Sequence, residues 1–241
     1  QLPFPSIAII NGACMGGGLE LALACTYRLA TSETKTKIAL PEVKLGIFPG
    51  FGGTQRLPRL IGLINALDLI LTGKTIDAKK AFKIGLVDKY FAQGHLEFRT
   101  QKFIDAILNK TLNLRKKPFR LMEYFPFTRK FIFKKAKDNL THKIHPDFKG
   151  PYKALELIKD SFGTDFQIGV EKEARVFAHL AITPESKNLI DLFFISEEIK
   201  KDFKDIPFAN KIEKTAVIGN GVMGKGIIWL FSKYANDIRI K

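Results

Sequence analysis

The chain has 241 residues, of which 46% are hydrophobic and 26% charged, with a net charge of +15. That composition excludes an intrinsically disordered chain, and no apolar run approaches the roughly 18 residues that a membrane helix needs. Two cysteines, Cys14 and Cys25, are too few to staple a secreted scaffold and favour a reducing compartment.

Residues 6–10 (SIAII) read as a short buried strand. Gly16, Gly17 and Gly18 follow, then a helix over 19–25 and a strand over Tyr27–Ala30. A polar turn at 32–37 leads into the apolar run IALPE at 38–42. A second glycine turn (Gly50, Gly52, Gly53) opens a helix over Thr54–Ile61, and an amphipathic helix follows near 63–72. Residues 77–85 predict a short helix capped by Asp77 and ended by Gly85. From about 96 to 210 the pattern is mostly helical, with breaks expected at Pro118, Pro126, Pro146 to Pro151 and Pro184. Residues 201–211 read as a linker. The final segment predicts a strand, a glycine turn, a helix and a strand ending at Ile238 to Ile240.

The densest basic stretch, Arg115 to Lys137, alternates with Phe119, Leu121, Phe125, Phe131 and Phe133. It reads as a solvated helix face opposite a buried aromatic one. No zinc-finger spacing or RNA-binding aromatic signature accompanies the positive charge, so a nucleic-acid partner is not expected. The four histidines form no metal set, and no metal is expected. Cys14, Cys25, Trp229 and the phenylalanines read as core.

Two constellations carry chemistry. In the first, Glu20 lies in the first turn of the helix after the triple glycine, beside unpaired N–H donors and the positive end of the dipole. Glu42 follows 22 positions later, just before the second glycine turn. Two carboxylates beside N–H-rich turns suit paired acid–base work on a polarised carbonyl compound, although dipole partners and caps also occupy such positions. Arg56 and Arg59 suit either a ligand phosphate or surface ion pairs. In the second constellation, Gly219, Gly221 and Gly224 form G-x-G-x-x-G between a strand and a helix, the fingerprint of a dinucleotide loop.

NGACMGGGLELALAC (11–25), LPEVKLGIFPGFGGTQRLPRLIG (40–62) and LTGKTIDAKKAFKIGLVD (71–88) resemble the crotonase, or enoyl-CoA hydratase, superfamily. The resemblance implies a partial ββα spiral that binds an acyl-CoA thioester. It implies that Gly17 donates an oxyanion N–H, that Glu20 activates water for attack at Cβ, and that Glu42 protonates Cα. The second oxyanion donor would come from upstream of residue 6. With the Rossmann start appended, and with residues 126–159 and 171–194 also similar, the whole chain resembles the alpha-subunit family of the fatty acid oxidation complex and of the mitochondrial trifunctional enzyme. Thr26, Tyr27 and the Phe- and Lys-rich tone of 115–137 are off-pattern.

The expected architecture is α/β: a crotonase part over 1–95, a helical extension and linker over 96–210, and the start of a 3-hydroxyacyl-CoA dehydrogenase NAD-binding domain over 211–241. The chain begins at Gln1 and ends at Lys241 within apparent structure, so it reads as an internal piece of a longer protein, with little turnover expected of the piece alone. The resemblance implies hydration of trans-2-enoyl-CoA and oxidation of (S)-3-hydroxyacyl-CoA with NAD. Gly219, Gly221, Val222, Met223 and Gly224 would then face the pyrophosphate. The acid that distinguishes NAD from NADP falls past the last residue, so NAD comes from the resemblance. A thiolase beta subunit is the implied partner. The implied location is cytoplasmic for a bacterial parent, or the mitochondrial matrix with peripheral membrane association for a mitochondrial one. A non-catalytic acyl-CoA-binding protein and a basic nucleic-acid-binding protein are the competing readings.

Overall fold

The computed structural model describes residues 3–114, 123, 125–202, 214–219, 221–233 and 237–240. The chain divides into two units, 1–193 and 194–241.

In the first unit, β1 (Ile7–Ile10), β3 (Tyr27–Thr31) and β5 (Lys89–Phe91) form a parallel sheet in the order β1-β3-β5. Ile7 is in register with Tyr27, and Leu29 with Lys89. A second parallel pair joins β2 (Ala13–Met15) to β4 (Lys37–Ala39). The sequence pattern does not resolve β2, because three residues are too few to show a period. Parallel pairs need crossovers. Helix α1 (Gly17–Ala24) supplies one of them, running from β2 to β3. A 3-10 turn (Glu42–Leu45) then leads to α2 (Gly53–Ile61), α3 (Leu63–Thr72) and α4 (Ala78–Ile84). Asp77 caps α4 by accepting from the Lys80 N–H, and Gly85 ends it in the left-handed region.

Arg28 fixes the C-terminal end of α1. It is buried on β3, where its Nε donates to Leu86 O and its Nη1 to Cys25 O, with Asp88 3.6 Å from Nη2. A cation there also complements the negative end of the helix dipole.

After α5 (Leu96–Leu108) come α6 (Pro126–Lys143), α7 (Lys149–Ser161), α8 (Phe166–Ala181) and α9 (Pro184–Asp202), the last crossing the boundary between the units. The expected breaks at Pro146 to Pro151 and at Pro184 fall between helices, at 144–148 and 182–183, while Pro126 and Pro184 are the first residues of the helices that follow and Pro151 lies in the first turn of α7. Proline is tolerated there because those N–H groups lack intrahelical partners in any case. Pro118 and residues 203–211 of the expected linker lie outside the described residues, while 201–202 end α9.

The core of this unit gathers Leu19, Leu40, Phe48, Leu57, Ile61, Leu63 and Ile70 with Leu155 and Ile158 of α7. The helices after residue 96 thus share the core of the β-strand region. On α6 only a narrow stripe reaches it, with Ile132, Phe133 and Leu140 buried, whereas Phe125 and Phe131 are exposed. The expected buried aromatic face is therefore narrower than its composition suggested, and Phe119 and Leu121 lie outside the described residues. Cys14 and Cys25 are half-buried free thiols rather than fully buried ones.

The second unit holds β6 (Lys214–Val217), α10 (Val222–Phe231) and β7 (Asp237–Ile240), with β6 and β7 parallel and Lys214 in register with Asp237. Trp229, expected in the core, is 62% exposed. Two strands offer too little surface to cover an apolar helix of ten residues, and none of its side chains is fully buried.

Candidate functional site

Gly16 precedes α1 with φ 57° and ψ −131°, a conformation that an L side chain rarely adopts. Its N–H donates to Ala39 O, which ties the start of α1 to β4, and so to the chain leading into Glu42. A Cβ at Gly16 would lie 3.3 Å from Glu42 Oε1, so the Glu42 carboxyl sits against the entry to α1. Gly17 and Gly18 occupy the first two helical positions, and their N–H groups have no acceptor among the described residues. A Cβ on either would meet nothing within 4 Å, so a ligand can approach that backbone closely.

Glu20 stands one turn further along and is 2% exposed. Its Oε1 accepts the N–H groups of Phe51 and Gly53, each at 2.8 Å, while Oε2 accepts no hydrogen bond among the described residues. These donors belong to the second glycine turn, where Gly52 has φ 90° and begins α2. Burial pushes the Glu20 carboxyl up, against the lowering effect of the two amides and of Arg56.

Glu42, the first residue of the 3-10 turn, has both carboxyl oxygens shielded from solvent and without a hydrogen-bond partner. Its pKa is raised to about 7, first by burial and then by the charges of Glu20 and Glu173. The two glutamates singled out in the sequence are therefore neighbours in one buried site, joined there by the start of α1 and its Gly17.

A third carboxyl, Glu173 of α8, was not anticipated. It is 0% exposed and accepts from Gly52 N, from Thr54 N at 3.0 Å, and from Thr54 Oγ1. Its pKa is also raised to about 7, mainly by burial. The available signal was positional: Glu173 falls four residues after Gly169 and seven before Leu180, on the buried stripe of its helix.

Among the described residues Arg56 and Arg59 form no ion pair. Arg56 Nη1 donates to Phe51 O at 2.6 Å, Arg59 donates to Gln55 O and Thr164 O, and both guanidinium groups lie over the Phe166 ring.

Three consecutive elements of the site (the glycine-led helix, the glutamate-led turn and the second glycine turn) fall inside the stretch matched by the enoyl-CoA hydratase/isomerase family, which covers residues 1–145. The chain belongs to this family. Along its full length the chain is similar to the fatty acid oxidation complex subunit alpha of Vibrio parahaemolyticus, at 43% identity over all of this chain and 34% of that protein. The subunit of the same description from Vibrio cholerae (El Tor Inaba N16961) is 42% identical over 100% of this chain and 34% of its own length. The chain thus spans about a third of the curated relatives it matches. The fold is shared with an enoyl-CoA hydratase from Mycobacterium avium subsp. paratuberculosis (TM-score 0.53, 20% identity, 87% of this chain and 66% of that one). It is shared likewise with an enoyl-CoA hydratase/isomerase from Pseudoalteromonas atlantica (TM-score 0.52, 22% identity, 80% and 62%).

The second constellation lies in the second unit, apart from the glutamates in sequence and chemistry. Gly219 has φ 101°, Gly221 caps α10, and Val222 and Met223 are strongly exposed in its first turn. A Cβ at Gly224 would lie 1.8 Å from Gly219 O, so only glycine permits the helix to sit so close to the turn. That close approach and the open first turn fit a pyrophosphate at a helix N-terminus.

Among the described residues no group of three or more His, Cys, Asp or Glu could hold a metal ion, and no helix is long and apolar enough to cross a membrane.

Proposed function

We propose that the first unit carries the site at which the parent protein hydrates a trans-2-enoyl-CoA to the 3-hydroxyacyl-CoA. The observation that carries this reading is the contrast between two neighbouring carboxyls. Glu20 is oriented by two amides through Oε1 and keeps Oε2 uncommitted, whereas Glu42 is buried, unpaired and near pKa 7. Environments that separate two carboxyls in this way assign a base and an acid.

Glu20 orients water and takes its proton as the oxygen bonds to Cβ. The electron pair of the Cα–Cβ double bond moves onto the thioester as an enolate. The Gly17 N–H stabilises the developing oxyanion, because a fixed dipole in a water-poor site needs no reorganisation. Glu42, protonated near neutral pH, delivers a proton to Cα.

The same proposal extends to the parent protein. Its layout is a hydratase part over 1–95, a helical extension and linker over 96–210, and the start of an NAD-binding domain from 211. The turn of Gly219, Gly221, Val222, Met223 and Gly224 would hold the NAD pyrophosphate by backbone N–H groups. Held there, the dinucleotide would supply the hydride acceptor for oxidation of the (S)-3-hydroxyacyl-CoA. The relatives' description as a complex subunit alpha supports a partner subunit for the parent; the partner proposed is a thiolase beta subunit and the setting proposed is cytoplasmic.

The test follows loss of the conjugated thioester of crotonyl-CoA in the intact parent protein. Glu20→Gln and Glu42→Gln are each expected to lower kcat by about 100- to 10,000-fold, the usual worth of a positioned acid or base. NAD-linked oxidation of 3-hydroxyacyl-CoA should persist. Unchanged hydration overturns the assignment. Binding of acyl-CoA without hydration by the wild type favours the non-catalytic reading.

A further inference from the structure

Four successive backbone N–H groups, those of Phe51, Gly52, Gly53 and Thr54, are divided between two carboxylates. Phe51 and Gly53 donate to Glu20, whereas Gly52 and Thr54 donate to Glu173, more than a hundred residues away in sequence. The turn is therefore held between two carboxyl groups in alternation. With Gln55 and Arg56 donating back to Gly52 O, the first amides of α2 are all satisfied. Glu173 is kept in place by tight packing of α8 against the same turn. A Cβ on Gly169 would lie 2.2 Å from Gln55 Oε1, a Cβ on Gly50 would lie 2.6 Å from Phe177, and the Phe48 and Phe177 rings meet edge-to-face at 6.2 Å. Beyond α8, Ser186 Oγ donates to Leu45 O at 3.1 Å, fastening α9 to the Glu42 turn.

We infer that Glu173 is a positioning residue for the hydration site: by holding Gly52 and Thr54 it fixes the two neighbouring amides that orient Glu20. The inference rests on the hydratase reading of Glu20 and Glu42. It gives the helical extension a part in hydration chemistry, because the residue that sets the turn comes from α8 and not from the strand region. Its charge also acts on Glu42 and helps to keep that carboxyl protonated.

The experiment is Glu173→Gln in the intact parent protein. It keeps the side-chain volume but places an amide donor against backbone donors. The kcat for crotonyl-CoA hydration is expected to fall about 10- to 100-fold with KM changed less than about threefold, the size expected for losing charge-assisted buried hydrogen bonds. The alkaline limb of the kcat/KM profile should move to lower pH, since Glu42 loses a neighbouring negative charge. A purely structural role would leave that limb in place. If the wild type hydrates and Glu20→Gln does not, yet Glu173→Gln retains wild-type kcat and an unmoved limb, the positioning role is overturned while the hydratase reading stands. If the wild type shows no hydration, the reading of the site fails first and this inference falls with it. Should Glu173→Gln not fold, Thr54→Val removes one donor to the same carboxylate at nearly constant volume. A several-fold loss in kcat supports the role, and an unchanged kcat with an unmoved limb overturns it.

Discussion

The two glycine turns that open α1 and α10 begin alike and end differently. Each follows a short strand, and each presents the first N–H groups of a helix. At α1 the turn is surrounded by side chains brought from far along the chain: Glu42 lies against Gly16, and Glu173 secures the amides beside Glu20. At α10, among the described residues, Val222 and Met223 are exposed and Gly224 lies close against Gly219 O. On the function proposed above, the difference separates two ways of making a site. One uses charges whose proton affinities are set by burial and by each other. The other uses backbone shape alone, which needs only glycines at the right spacing and a helix start.

Two substitutions break this comparison on opposite sides. The larger effect is expected of Arg28→Ala in the first unit. It removes donors to Leu86 O and Cys25 O and leaves Asp88 without its buried cation. Removing one partner of a buried pair costs about 3–5 kcal/mol. Denaturant titration should show that loss as a lower midpoint with a similar slope, together with weaker hydration, because the C-terminal end of α1 loses its anchor. NAD affinity measured on the same protein should stay at the wild-type value. The smaller effect is Gly224→Val, which drives a side chain into Gly219 O. Overpacking of that kind costs about 1–3 kcal/mol, so NAD affinity should fall about 100-fold by fluorescence titration while crotonyl-CoA hydration is unchanged. Retained NAD affinity would remove the dinucleotide reading of the second unit.

The same division explains what the sequence disclosed. Strands β1 and β3, helices α2 to α4, the Asp77 cap and the β-α-β order after residue 213 follow from local pattern, and so does the backbone turn at Gly219 to Gly224. Glu20 and Glu42 were legible because each stands beside glycines, and the structure brings them together. Glu173 was not, because nothing near it in sequence distinguishes it from the other charges of EKEAR. Only its position on the buried stripe of α8 sets it apart, and that stripe is defined by packing against α2 and the turn before it. The prolines marked the breaks at 144–148 and 182–183, but not that the next helix starts on or close to them. Their effect depends on whether they fall inside a helix or in its first turn, which composition does not tell. Trp229 misled because an apolar helix was read as core before the surface available to cover it was known.

A last test sharpens the contrast through pH. Glu42 and Glu173 have folded-state pKa values of about 7, above the ordinary 4.5, chiefly because burial disfavours their charged forms. A carboxyl whose pKa is raised on folding holds more protons in the native state than in the unfolded one. The stability it contributes is therefore fully present below about pH 4.5 and is lost as pH rises through about 7. Inside that window each carboxyl that keeps its proton only when folded contributes a slope of about 1.4 kcal/mol per pH unit. Urea midpoints for the first unit should then decline between pH 5 and 7, and Glu42→Gln, which cannot ionise, should flatten the decline. The second unit supplies no buried carboxyl among its described residues, so Gly224→Val should leave that pH slope unaltered. A slope that Glu42→Gln does not change would place the titration elsewhere and remove the argument that Glu42 carries a proton at neutral pH.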